Sequence, residues 1–226
     1  MSKDERVARS GILVAVARQT LVPVVLSLLV VCAACSPEPI EDEGTYSREI
    51  AAFRASKDAA LRQPDTPIPP DKQSTILPLA YFPAALAYRV PAVLRVAADG
   101  ATMEMPTSTG QRRQMQRVGR LEFSLKGQSL TLGAFVEAGS QSFDRLFVPF
   151  TDLTSGSETY PAGRYLDLDR NRTGIYIIDF NRAYNPYCYY NPTYDCPYPP
   201  RENRLRVPIR AGEKMKNAVA PVAATR

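Results

Sequence analysis

Between residues 87 and 210 the chain is written in short runs of alternating polarity, each ended by a turn. They cover 87–96, 102–105, 112–118, 120–125, 129–137, 145–150, 163–168, 174–181 and 203–210. Runs this short, with a period of two and rich in Val, Leu, Phe and Tyr, suit strands and not helices. Leu121, Phe123 and Leu125 alternate with Glu122 and Ser124, as a half-buried antiparallel strand requires, and Lys126-Gly127-Gln128 turns the chain back toward Leu130 and Leu132. The pattern predicts a mainly β fold: a single antiparallel barrel or sandwich domain over 71–214, with an N-terminal helix against it. That helix is expected over 46–63, where Ile50, Phe53, Ala60 and Leu61 fall near one face. Pro64 ends it, and Pro67, Pro69 and Pro70 continue as an extended linker to residue 70.

The segment before the helix carries an address. Lys3, Arg6, Arg9 and Arg18 precede an apolar run over 21–31, and Cys32-Ala33-Ala34-Cys35 follows. A basic segment, an apolar core and a small-residue exit form a secretory signal. The uncharged stretch 21–35 is 15 residues long, short of the roughly 20 that span a bilayer as a helix. Ala33-Ala34-Cys35 resembles the bacterial lipobox, whose cysteine is diacylated and becomes the mature N-terminus. Residues 1–34 are therefore expected to leave as a signal peptide. Cys35 carries the lipid, and 35–45 forms an acidic, proline-bearing tether. Ser36 after the cysteine favours the outer membrane, facing the periplasm, in a host that has one.

Composition removes several chemistries. The chain has no histidine, so histidine triads, histidine metal ligands and imidazole acid–base steps are excluded. Once Cys32 leaves and Cys35 takes lipid, Cys188 and Cys196 remain, and an even pair in an oxidising compartment reads as a disulfide. Two thiols without histidine do not complete a zinc site, so neither metal nor cofactor is expected. The net charge of +5 is concentrated in the last 26 residues, which hold seven basic side chains against Glu202 and Glu213. In an exported chain such a segment reads as a solvated strand and a flexible tail over 215–226, and nucleic acid is not an expected partner.

From residue 147 onward the sequence is distinctive. It contains Phe150-Thr151-Asp152-Leu153-Thr154-Ser155-Gly156, Glu158-Thr159-Tyr160, Gly163-Arg164-Tyr165 and Asp179-Phe180-Asn181-Arg182-Ala183-Tyr184-Asn185-Pro186. Cys196-Pro197, Glu202-Asn203-Arg204-Leu205 and Ala211-Gly212-Glu213-Lys214 complete the series. In these motifs, and in Phe53-Arg54 of the helix, the chain resembles the bacterial domain-of-unknown-function family 1684. Pro161 stands where that family usually has glycine. The resemblance implies kinship and no established activity.

The residues themselves nominate two sites. The strand over 174–181 would put Asp179 and Asn181 on one face with Ile175 and Ile177. Arg164 is the natural partner of Asp179, and Glu158 can reach the same cation. This reads either as a pocket in which Arg164 receives an anion or as a buried ion-pair network that fixes loop geometry. The second site is the segment 184–198, which holds six of the 12 tyrosines and three prolines, with Pro199 and Pro200 directly after it. There Tyr184, Asn185, Tyr187 and Tyr190 offer flat apolar faces and polar edges to a sugar ring or an extended peptide. The leading reading is a lipid-tethered envelope protein whose β domain binds a glycan, small molecule or protein partner. The alternatives are a histidine-free hydrolase or lyase using Glu158 and Asp179 as a carboxylate pair with Arg164, and a purely structural lipoprotein.

Overall fold

The computed structural model describes residues 42–98, 100–139, 145–169 and 172–216. The signal, Cys35, most of the tether and the end of the tail lie outside them. Helix α1 spans Glu43–Ala60, and Asp42 caps it by accepting a hydrogen bond from the Thr45 amide at 2.9 Å. The cap starts the helix three residues before the expected Tyr46, so part of the predicted tether is helical. Tyr46 and Ile50 are its buried residues, whereas Ala60, expected on the buried face, is exposed. A second short helix, α2 (Pro70–Ile76), starts at the last residue of the predicted linker and occupies the beginning of the segment expected to be β, with its proline at the helix start, where a missing N–H costs nothing. Leu61, Ile68, Leu77 and Tyr190 close a small apolar cluster beside these helices.

Seven strands follow: β1 (Arg89–Val96), β2 (Thr102–Pro106), β3 (Arg112–Leu125), β4 (Gln128–Glu137), β5 (Arg145–Phe150), β6 (Arg164–Asp169) and β7 (Ile175–Asp179). They form one antiparallel sheet in the order β6-β5-β4-β3-β1-β7, with β2 paired to the first half of β3. The end strands β6 and β7 approach one another without a described ladder, so the sheet is a nearly closed barrel. The two runs expected at 112–118 and 120–125 are a single strand, with a bulge between Arg117 and Gly119. Gly119 is required there: a Cβ would lie 2.3 Å from the Arg95 carbonyl oxygen.

Leu121, Phe123, Leu132, Phe150, Ile178 and Phe180 belong to the apolar core. Strand β4 is buried continuously from Leu132 to Val136 because it is covered on both faces. Its alternate residue Phe135 packs outside the core with Met105 and Met115.

Two expected strands are corrected. The 174–181 run ends at Asp179, whose side chain accepts from the Asn181 amide at 3.0 Å and starts a 3-10 turn, Phe180–Arg182. The 203–210 run forms no strand. Its backbone groups are taken up singly, by a bridge between Arg204 and Thr151, by the Leu153 amide on the Val207 carbonyl and by side chains. One such side chain, Asn203, fills a gap in the sheet. Extending the Phe135–Phe147 pairing by two residues sets Gly133 opposite Pro149, which has no N–H to give. Asn203 Nδ2 donates to both carbonyl oxygens, at 2.9 and 2.6 Å, and its Oδ1 accepts from the Gly133 amide at 2.6 Å.

Candidate functional site

Arg164 is fully buried at the start of β6. It meets Asp152 and not Asp179: Nη2 donates to Asp152 Oδ2 at 2.9 Å and to the Ile209 carbonyl at 2.8 Å. Nη1 donates to the carbonyls of Ala211 and Glu213, and the guanidinium lies 5.3 Å from the centre of the Phe150 ring. Burial pulls its pKa down, while Asp152 opposes that shift. The topology explains the correction. A hairpin between β6 and β7 would set Arg164 opposite Asp179, but these strands are the two ends of the sheet and form no such ladder. Strand β6 pairs with β5, where Phe150 faces Arg164, and Asp152 follows two residues later. Glu158 is also occupied elsewhere, accepting both oxygens' bonds from Arg210 Nε at 2.9 and 3.0 Å.

Asp179 and Asn181 belong to the contact between α1 and the barrel. The Tyr46 hydroxyl donates to Asp179 Oδ1 at 2.7 Å and accepts from Asn181 Nδ2 at 2.7 Å. Asn181 also exchanges bonds with the backbone of Ala85, and Arg182 pairs with Asp179 at 3.3 Å. Burial and the neighbouring carboxylate raise the Tyr46 phenol far above its ordinary value, so it stays a donor. Ile175 and Ile177, placed on the same strand face, are left exposed at 58% and 44%. Replacing Tyr46 by phenylalanine should cost about 1.5–2 kcal/mol in urea unfolding, because a hydrogen bond to a buried charge is lost with little change in shape. An unchanged midpoint would mean that this network does not hold α1.

Glu158 and Asp179 thus share no hydrogen-bonding partner: Glu158 takes Arg210, Asp179 takes Tyr46 and Arg182, and Arg164 gives its hydrogen bonds to Asp152 and three carbonyls instead. The other named residues divide in two. Asn185 and Tyr190 are buried, at 2% and 3% exposure, and both donate to the buried Glu213 carboxylate, which also takes Lys57 of α1. Tyr184 and Tyr187 instead line a cleft of about 510 Å³ between the tyrosine loop and the outer face of β3–β6.

Phe147, Tyr165 and Tyr194 complete its aromatic wall, and Arg113, Arg145 and Asp195 give it charged edges. Tyr165 is anchored through its hydroxyl to the Pro197 carbonyl at 2.6 Å, and Tyr184 to Asp167 at 2.8 Å. Helix α3 (Tyr187–Tyr190) is a single turn within the loop. The sequence pointed to this loop by composition. Phe147, Tyr165 and Arg113 escaped because the strand register brings them to the cleft.

The loop is not closed by a disulfide. Cys188 and Cys196 are both free, buried thiols. The loop is held by Ser108, whose amide donates to the Cys196 carbonyl at 2.9 Å, by the Tyr198 amide on the Pro106 carbonyl at 2.8 Å, and by Arg113 on Asp195. The Cys188 amide donates to Cys196 Sγ at 3.3 Å. A hydrogen bond from the Cys196 thiol pulls the Cys188 pKa down to about 6 against the opposing effect of burial.

The molecule is therefore a nearly closed antiparallel barrel with an aromatic cleft on its outer wall. A family model described as a protein of unknown function, DUF1684, matches residues 77–214, and the chain belongs to that family. Helix α1, including Phe53 and Arg54, precedes the matched residues. The solution NMR structure of an uncharacterized protein from Haloarcula marismortui is similar: identity is 34%, the TM-score is 0.62, and the match covers 77% of this chain and 96% of that one. No curated protein matches.

Proposed function

We propose that this chain is a cell-envelope lipoprotein, anchored through Cys35, whose barrel binds a small ligand in the tyrosine-walled cleft. The observation that supports it is the cleft itself. Its volume of about 510 Å³ falls within the 300–1,000 Å³ usual for small-molecule sites. Flat rings backed by arginine and carboxylate edges suit a glycan or another ring-shaped, polar-edged ligand. The carboxylate-pair chemistry lacks this support, since Glu158 and Asp179 are each committed to other residues.

Two experiments test the proposal. The chain has no tryptophan, so its emission comes from tyrosine, and four of the 12 tyrosines line the cleft. Titration with N-acetylglucosamine oligomers and with peptidoglycan fragments should change the emission saturably. Tyr187→Ala and Tyr194→Ala should each weaken binding about 10-fold, the effect of losing one stacking ring worth roughly 1–1.5 kcal/mol. Saturable binding that both variants retain unchanged would move the site away from the cleft. For the anchor, Cys35→Ser should abolish membrane partition and leave an unprocessed precursor. Normal maturation of that variant would reject Cys35 as the lipidated residue.

A further inference from the structure

We propose that Cys188 and Cys196 together bind a soft monovalent d10 metal ion, with copper(I) as the representative case. The two cysteines are adjacent, with the Cys188 amide 3.3 Å from Cys196 Sγ, and are only 8% and 6% exposed. Tyr165 is buried with them, and Phe147, Tyr160, Tyr184 and Tyr194 pack around the group. Cys196 nevertheless lines the 510 Å³ cleft, so the pair is screened from bulk water yet is reached from the cleft through Cys196.

A further soft donor lines the same cleft, on its sheet side. Met115, on β3, lines the cleft as Cys196 does; it is buried with Met105, and Met103 packs against them. Phe147 packs against both this methionine cluster and the cluster that holds the thiols. Hard donors do not converge there. Asp195 is engaged by Arg113 and Thr109, and the described residues contain no group of three or more Cys, Asp or Glu placed to hold a metal.

That donor set selects the ion. Structural zinc takes four ligands in a tetrahedron, and calcium or magnesium takes six or more oxygens, so neither is served by two sulfurs. Thiolate and thioether ligands favour copper(I), and two thiolates in a line satisfy a d10 ion of single charge. Two sulfurs are too few for zinc but enough for an ion that needs only two ligands. Binding forms two S–Cu bonds, breaks the hydrogen bond that Cys196 gives Cys188, and releases to water the proton of Cys196 together with any proton still on Cys188, with no change of oxidation state. The bound site carries one net negative charge, adjacent to Arg113 at the cleft edge.

The test uses the full chain in detergent, reduced and free of oxygen, with Cys32→Ser and Cys35→Ser so that only the two thiols remain. Copper(I) is supplied as its bicinchoninate complex. The chain should withdraw one copper per molecule and develop a near-ultraviolet thiolate-to-copper band. Adding Cys188→Ser or Cys196→Ser should lower the affinity by more than the roughly 10–100-fold that losing an outer partner of a metal site costs. Circular-dichroism melting of each variant reports its folding. As a check that needs no further substitution, bound copper should protect both thiols from iodoacetamide. Failure to withdraw copper while both thiols remain reactive would overturn the site, as would copper retention by the variant lacking all four cysteines. The outcome is separable from ligand binding in the cleft, which is read with metal-free protein.

Discussion

Replacing Arg164 with alanine should destabilise the barrel by about 3–5 kcal/mol, because a buried carboxylate loses its cation. The loss extends beyond the ion pair. Asp152 is left with hydrogen bonds from Thr154 and the Ile209 amide, while the carbonyls of Ile209, Ala211 and Glu213 lose their shared donor. Removing both charges together, as Arg164→Met with Asp152→Leu, should recover less than half of the stability, since those three carbonyls stay unpaired. Arg164→Lys should also fall short, because a single ammonium cannot reproduce the planar fork that reaches all four acceptors. Urea unfolding of the three variants decides the matter. A midpoint for Arg164→Ala within error of the unsubstituted chain would show that the guanidinium is not a structural centre.

Asn203→Ala should cost about 2–5 kcal/mol, because one side chain satisfies three buried backbone groups at the Gly133–Pro149 gap and each unmade partner is expensive. The sharper variant is Asn203→Asp. It keeps the shape and the acceptor for the Gly133 amide but faces the two carbonyls with a second oxygen where Nδ2 had donated. It should be at least as destabilising as alanine. A well-folded Asn203→Asp chain would indicate that water takes the place of the amide donors and that Asn203 is dispensable.

Alternation and turn residues located the strands well, because a period of two leaves a half-buried sheet little choice. Asp42 extended the helix by a local cap that the hydrophobic pattern ignores. Arg164 stood out as a cation needing a buried partner, but the choice between Asp152 and Asp179 depended on which strand lies beside β6. That is decided by closure of the sheet and not by proximity in sequence. Asn203 and Glu213 lay within motifs already noted, and their roles depend on backbone groups that sequence does not place. The tyrosine loop was legible as composition, although its rings divide: Tyr184 and Tyr187 line the cleft, whereas Tyr190 is turned inward to Glu213. The thiols were legible as a pair, and their free state was not, because hydrogen bonds from Ser108, Tyr198 and Arg113 already close the loop.

The three carbonyls that Arg164 holds lie 45, 47 and 49 residues further along the chain. During synthesis, all seven strands therefore emerge before the segment that seals the barrel's end. A chain cut after Pro208 would possess the whole sheet and still have nowhere to bury its central cation. A chain ending at Pro208 should therefore yield faster to limited proteolysis than the full chain, because the end of its barrel lacks the carbonyls that hold Arg164.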